Sequence, residues 1–270
     1  MSIGSIGSGS AVNLNKTQET IGLLLKQLSS GNRITSASVD PAGLAVFNQL
    51  DTAASSTRQA IRNTNDGISV LQTAESATST VQDDLQRMRE LAMQASSGTL
   101  NDAQRADLNE EFSELAENID ATSASTEFNG VPLTDGSLAS IDVQVGQDSS
   151  DQVSMNLTDL SSGALGLSGV SIDSQGGAQA ALDAIDGAMD SVSSQRSELG
   201  ATQNRLESSI AFSEDYALNL ESAAGSVMDL DFALVTSQLA QNNSLQEAGV
   251  AAMVQANNIS RSSASSLLFS

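Results

Sequence analysis

The sequence predicts a mainly α-helical chain in which long helices pair as antiparallel coiled coils beside one small β-hairpin region. Three observations lead there. Heptad-type apolar stripes run through both halves of the 270 residues. Aromatic residues are only 3% and Trp is absent, too few rings for a thick core, so the abundant Ala, Leu, Ser and Gln suit narrow stripes on long helices and an elongated shape. Third, residues 12–28 and 227–268 are apolar, helix-patterned and nearly free of charge, whereas of 33 acidic residues only Glu19 and Glu247 lie outside 36–231. Lys16, Lys26, Arg33 and Arg261 make the ends slightly basic, so the net charge of −22 belongs to the middle. Such termini are expected to pair inside an assembly while the acidic middle meets water.

Composition removes several function classes. A charge of −22 repels DNA, RNA and anionic lipid, so no nucleic-acid partner is expected. No run reaches the roughly 18 apolar residues of a bilayer span, and none is expected to insert in a membrane. Met1 to Ser10 has neither a basic nor an apolar signal region, so a Sec signal peptide is not expected and export by another route stays open. With no Cys and no His, disulfides, thiol catalysis and the commonest general base and metal ligand are missing. There is no phosphate loop and no nucleophile elbow, so no enzyme, cofactor or metal site is expected.

The first helix carries Ile21, Leu24, Leu25 and Leu28 on one stripe and stops at Ser29-Ser30-Gly31. After Asp40-Pro41 a seam runs from Phe47 through Leu50, Ala54, Thr57, Ile61, Thr64, Ile68 and Leu71. It shifts phase at Ala74 and continues through Thr78, Val81, Leu85, Met88 and Ala92 to Ala95, roughly 70 Å at about 1.5 Å per residue. A third helix is expected from about Asn101 to Ser123, with Asn101 or Asp102 as N-cap and Leu108, Phe112, Leu115 and Ile119 inside. Period two then appears at Ile141, Val143, Val145 and at Val153, Met155, Leu157, one hairpin preceded by the Asn129-Gly130 and Asp135-Gly136 turns.

A Gly/Ser-rich stretch, Ser161 to Gly177, leads to a sustained heptad. It steps through Leu182, Ile185, Met189, Val192, Arg196, Leu199, Gln203, Leu206 and Ile210 and onward through Asp231 to Leu234. Its natural partner is the Phe47–Ala95 seam, whose Ala and Thr permit close approach. The last segment offers Leu234, Leu239, Leu245, Val250, Met253, Val254, Leu267 and Leu268. The organisation expected is an N-terminal helix over 1–40, a two-helix and hairpin part over 41–177, a long helix over 178–226 and a C-terminal helix over 227–270.

Leu28-Ser29-Ser30-Gly31-Asn32-Arg33-Ile34-Thr35-Ser36-Ala37 followed by Ala42-Gly43-Leu44-Ala45 closely resembles the N-terminal signature of bacterial flagellins. Asn65-Asp66-Gly67-Ile68-Ser69, Gln86-Arg87-Met88-Arg89-Glu90-Leu91-Ala92, Phe128-Asn129-Gly130 and Val254-Gln255-Ala256-Asn257 are similar to further family motifs, covering almost the whole chain. The resemblance implies a homo-polymeric, extracellular filament subunit whose terminal helices form an inner tube, with Ser161 to Gly177 leaving no room for a variable outer domain. It also implies flagellar cap and hook-junction partners, an export chaperone on the C-terminal segment and a type III export route. Arg87, Leu91 and Glu111 match positions that a Toll-like innate receptor recognises in many flagellins; the plainer role for Arg87 and Glu111 is lateral salt bridging in the filament. The sequence departs from the family at Val39-Asp40-Pro41, which leaves that turn open, and at Leu267-Leu268-Phe269-Ser270.

Two other readings stand beside this one, a hook–filament junction protein and a secreted coiled-coil binding module. The density of family motifs argues against the first, and two apolar termini argue against the second. The Glu110, Glu111, Glu114, Glu117 run reads as a solvated face and not as a calcium or catalytic cluster. Asn156-Leu157-Thr158 and Asn258-Ile259-Ser260 fit a glycosylation sequon that is frequent by chance.

Overall fold

The structure, a computed structural model, describes the backbone of residues 3–268 and the side chains of 9, 11–259, 261, 262 and 265. The side chains of Leu267 and Leu268 and the departure at Phe269-Ser270 lie outside the described residues. Five helices carry the chain: α1 Ile3–Ser30, α2 Pro41–Ala95, α3 Asp102–Ser125, α4 Gln175–Met228 and α5 Phe232–Leu268. Between α3 and α4 lie two antiparallel hairpins, β1 Glu127–Phe128 with β2 Val131–Pro132 and β3 Ser140–Gln144 with β4 Gln152–Asn156. The chain divides into two units, one formed by its two ends through Thr52 and from Asn219, the other by residues 53–218.

In the middle unit α2 and α4 run antiparallel. Arg89 on α2 pairs with Asp186 on α4 at 2.7 Å, and Arg196 on α4 reaches Gln82 at 2.6 Å and Glu75 at 3.5 Å. One core joins Val81, Leu85, Met88 and Leu91 of α2 to Phe112 and Ile119 of α3 and to Ile185 and Val192 of α4. A second seats Val143, Val153 and Met155 of the hairpin on Leu71 of α2 and Leu199 and Leu206 of α4.

The seam is shifted from the sequence reading at alternate turns. Ala60 and Gly67 are buried where Ile61 and Ile68 were expected, and Ala181, Ala188, Gln195 and Thr202 where Leu182, Met189, Arg196 and Gln203 were expected. The larger neighbours are half-buried beside them, as are Leu50 and Ile210. The physical reason for the Ala, Gly and Thr positions is approach distance, since small residues take the line of closest contact and long side chains flank it, whereas Gln195 is held inside by its hydrogen bonds to the Asn156 carbonyl and the Thr158 hydroxyl. The heptad also does not continue to Leu234, because α4 ends at Met228. Asp231, expected as a polar seam position, caps α5 instead, accepting from the Leu234 N–H at 3.0 Å.

Local chemistry sets the other boundaries. Asp40 caps α2 by accepting from the Gly43 N–H at 2.9 Å, and Pro41 takes the first helical position, which needs no N–H donor. This settles the turn left open at Val39-Asp40-Pro41 and starts α2 six residues before the apolar periodicity becomes visible at Phe47. Asn101 caps α3 in a reciprocal box with Gln104, at 2.9 and 3.1 Å. Asn129 and Gly130 both have positive φ, 52° and 77°, as a two-residue hairpin of the primed type requires. Thus Asn129-Gly130 closes a hairpin of its own, one too short to show a period of two. The Gly/Ser-rich exit is not a bare linker: Leu165, Leu167 and Ile172 are buried, and Asp120 and Asn109 of α3 accept its backbone N–H groups at Ser162 and Ile172.

Arg105 is buried beneath the α2–α3 turn. Its Nε donates to the Ala95 carbonyl and its Nη2 to the Ser97 carbonyl, each at 3.0 Å, so a cation closes the C-terminal end of α2. Arg105→Ala leaves those carbonyls without a donor and is expected to cost about 2 kcal/mol. The midpoint of the helical circular-dichroism melt should fall by roughly 4–8 °C. An unchanged melt would show that water replaces the guanidinium at no cost.

Candidate assembly interface

The two chain ends pack on each other as antiparallel helices. Position 31 lies beside Phe232, and a Cβ placed on Gly249 would meet Leu14 Cδ1 at 3.6 Å. Leu24, Ile34 and Val235 are buried in this unit at 5%, 1% and 6% exposure. The rest of the expected stripe is not covered by one chain. Leu25, Leu234, Leu245, Val250 and Val254 are roughly half exposed, and Ile21, Leu28, Leu239 and Met253 are partly buried. One α1–α5 pair therefore hides only a line of its apolar residues and leaves the remainder half exposed or partly buried.

A hydrogen-bonded junction fastens this pair to the adjoining helix ends. Gly31, with φ of 73°, ends α1, and Asn32 pairs with Asp229 as an antiparallel bridge. The Leu230 N–H donates to the Gly31 carbonyl at 3.2 Å and the Arg33 N–H to the Met228 carbonyl at 2.7 Å. Arg33 also directs Nε and Nη2 at the Val227 carbonyl, 3.1 and 2.8 Å, closing the C-terminal end of α4. Its guanidinium lies 3.5 Å from Asp40, the cap of α2, and Gln27 Nε2 donates to the Arg33 carbonyl at 2.5 Å. Gly43 is required here, since a Cβ would stand 2.7 Å from Ile34 Cδ1 and would meet the Asp40 carboxylate that caps α2. The signature around Gly31-Asn32-Arg33 was visible in the sequence, but its partners at Val227 and Met228, some 194 residues away, were not.

Arg87 and Glu111 meet on the exposed faces of two neighbouring helices. Arg87 Nε and Nη2 donate to Glu111 Oε1 at 2.9 and 2.7 Å, and Nη1 donates to Glu90 at 3.0 Å, so Arg87 and Glu111 close a bridge between α2 and α3 within the chain. The Glu111 bond, then the Glu90 bond, raises the guanidinium pKa. Leu91 is 1% exposed and belongs to the core, so its side chain is not part of the accessible face. Nearby, the hydrogen bond from Arg89 holds the Asp186 carboxyl below its ordinary range. Burial pushes Asp84 up, opposed by its hydrogen bond from Asn118. Among the described residues no helix is long and apolar enough to cross a membrane.

These features have close counterparts. Residues 9–139 match the bacterial flagellin N-terminal helical region and 182–265 the bacterial flagellin C-terminal helical region. The flagellin of Halalkalibacterium halodurans is 40% identical over 248 residues, spanning 91% of this chain and 90% of that protein. The crystal structure of Bacillus cereus flagellin superposes with a TM-score of 0.52 and 28% identity over 56% of this chain and 88% of that one. A flagellar hook-associated protein from Vibrio parahaemolyticus shares the fold with a TM-score of 0.60, 20% identity and coverage of 71% and 100%.

Proposed function

The chain belongs to the bacterial flagellins, the non-enzymatic structural subunits of the extracellular flagellar filament, and from that premise we propose that its α1–α5 pair is the surface through which subunits polymerise. The observation that carries this is the set of half-exposed side chains Leu25, Leu234, Leu245, Val250 and Val254 on two helices that are nearly free of charge. Each such side chain, already about half covered, gains about 0.7–1.5 kcal/mol on full burial, and a helical polymer buries all of them in every subunit. In this reading residues 1–40 and 227–270 build the inner tube, and residues 41–177 with 178–226 build the acidic shell around it.

The finer partners follow from the same surfaces. Before assembly the apolar C-terminal segment needs a cover, which an export chaperone supplies, and a chain without Cys passes unfolded through a type III channel with no disulfide to reduce. Cap and hook-junction proteins contact the same terminal helices at the two ends of the filament. A Toll-like receptor is left with Arg87, Glu90 and Glu111 as accessible groups, with Leu91 supporting them from below.

Replacing Leu234, Leu245 and Val254 together by Ser tests the central claim. The three side chains are about 55% exposed, so the monomer's helical signal should stay within a few per cent of the parent. Elongation from wild-type filament seeds, followed by light scattering, should fall by at least about tenfold, since the three residues together contribute on the order of 2 kcal/mol or more. Normal elongation by the triple variant would remove α5 as an assembly surface.

A further inference from the structure

Phe212 and Tyr216 stand one turn apart on α4 with rings stacked at 6.0 Å and inclined by 6°, and they are 70% and 40% exposed. In a chain with only 6 Phe and 1 Tyr, two rings are placed in water where the fold does not need them. The seam of α4 is filled at that level by Leu206, Ser213, Ala217 and Leu220. The rings form a ridge on α4, with Phe212 bordering two depressions and Tyr216 one of them. One, of about 540 Å³, lies toward Thr57 and the Gly146–Asp151 turn, and the other, of about 480 Å³, is lined by Val153, Asn204 and Arg205. An exposed aromatic ridge beside an arginine has the composition of an interface centre.

Charge identifies the occupant. Among the described residues Arg205 makes no ion pair, in a chain where carboxylates outnumber cations 33 to 11. Its complement is a carboxylate row, and α3 of the same kind of chain carries one: Glu110, Glu114 and Glu117 are exposed, and none makes an ion pair among the described residues. On the same face Ala106, Ser113 and Ala121 are also exposed, the small side chains that leave room for rings to lie flat. Ridge and row are different surfaces of one unit, which is the arrangement of a head-to-tail contact that propagates and does not close.

We propose that the Phe212–Tyr216 ridge is a contact between copies of this chain, the rings of one copy lying on the α3 face of the next with Arg205 against its Glu110–Glu117 row. The proposal rests on the filament reading and adds a second joint, in the shell, to the terminal-helix joint.

The test uses the absence of Cys from the chain. Phe212→Cys is mixed at a few per cent with the wild-type chain, and its maleimide labelling rate is measured in monomers and in seeded filaments. Protection of at least about tenfold in filaments is expected, and exclusion of a folded F212C monomer from them supports the contact equally. Arg205→Glu should raise the critical concentration for assembly severalfold, and Glu114→Arg in the same chain should bring it back. Labelling in filaments at the monomer rate overturns the proposal, placing the ridge in solvent or under another partner. Protection without rescue by the charge swap overturns α3 as the seat. If wild-type seeds do not elongate at all, the filament reading itself has failed, and that is read before any label is added.

Discussion

A chain lacking residues 235–270 is expected to remain a soluble, largely helical monomer that never elongates filament seeds. The deletion removes nearly all of α5 and with it Leu239, Leu245, Val250, Met253 and Val254, while both apolar cores of the middle unit lie within residues 53–218 and keep every member. The helical circular-dichroism signal should therefore drop by little more than the deleted helix, and the main melting transition should persist. Deleting residues 1–35 is expected to block elongation too, but with a further loss. It takes Arg33, whose guanidinium and N–H close the α4 carbonyls at Val227 and Met228. The C-terminal end of α4 should then fray, which amide exchange near residues 220–228 would report as faster than in the C-terminal deletion. Light scattering and electron microscopy decide the main point, and filaments from either truncated chain would sink assembly through the terminal helices.

The sequence showed much of this architecture because its strongest signals are long. Seams of several heptads on α2 and α4 stay visible through single polar residues, and alternation at Val143, Val153 and Met155 marks the hairpin with little ambiguity. What was hidden has a common cause. Ala60, Gly67, Ala181 and Ala188 occupy the centre of the helix contact, but a reading that follows large apolar residues steps to Ile61, Ile68, Leu182 and Met189 beside them. Hydropathy ranks side chains by transfer energy, whereas close helix packing selects the smallest one on the line of approach. The roles of Arg105 and Arg33 escaped for another reason: each caps main-chain carbonyls of another helix end, ten residues away at Ala95 and 194 away at Val227, and a cation in a polar turn looks like any solvated residue. The terminal stripes were easy to find, yet only the structure separates Leu24, covered within one chain, from Leu25, which stays half exposed.

Gly67→Val is expected to destabilise the middle unit by overpacking the contact between α2 and the hairpin. A Cβ at this position would stand 2.9 Å from Val143 Cγ2 and 3.3 Å from its Cγ1, with Leu206 Cδ1 at 3.5 Å behind. Val143 has no free direction in which to withdraw, because it is β-branched and paired with Val153 in the hairpin ladder. Either the hairpin lifts from α2 or α2 and α4 separate along the seam. Overpacking of this kind costs about 1–3 kcal/mol, against a gain of a few tenths from replacing a helical Gly, so the clash wins. The hairpin is also tied by Gln147 to Thr57 at 2.9 Å and by Gln195 to the Asn156 carbonyl at 3.1 Å, which would have to stretch or break as it moved. The melting midpoint should fall by roughly 3–10 °C, and amide protection at Val143 and Val153 should drop before that of Leu85 or Met88, whose core is separate. Pairing the change with Val143→Ala provides the sharper check. The smaller partner vacates the space that the new methyls need, so the double variant should recover part of the loss, and an additive double variant would show that Gly67 serves the backbone of α2 and not the seating of the hairpin.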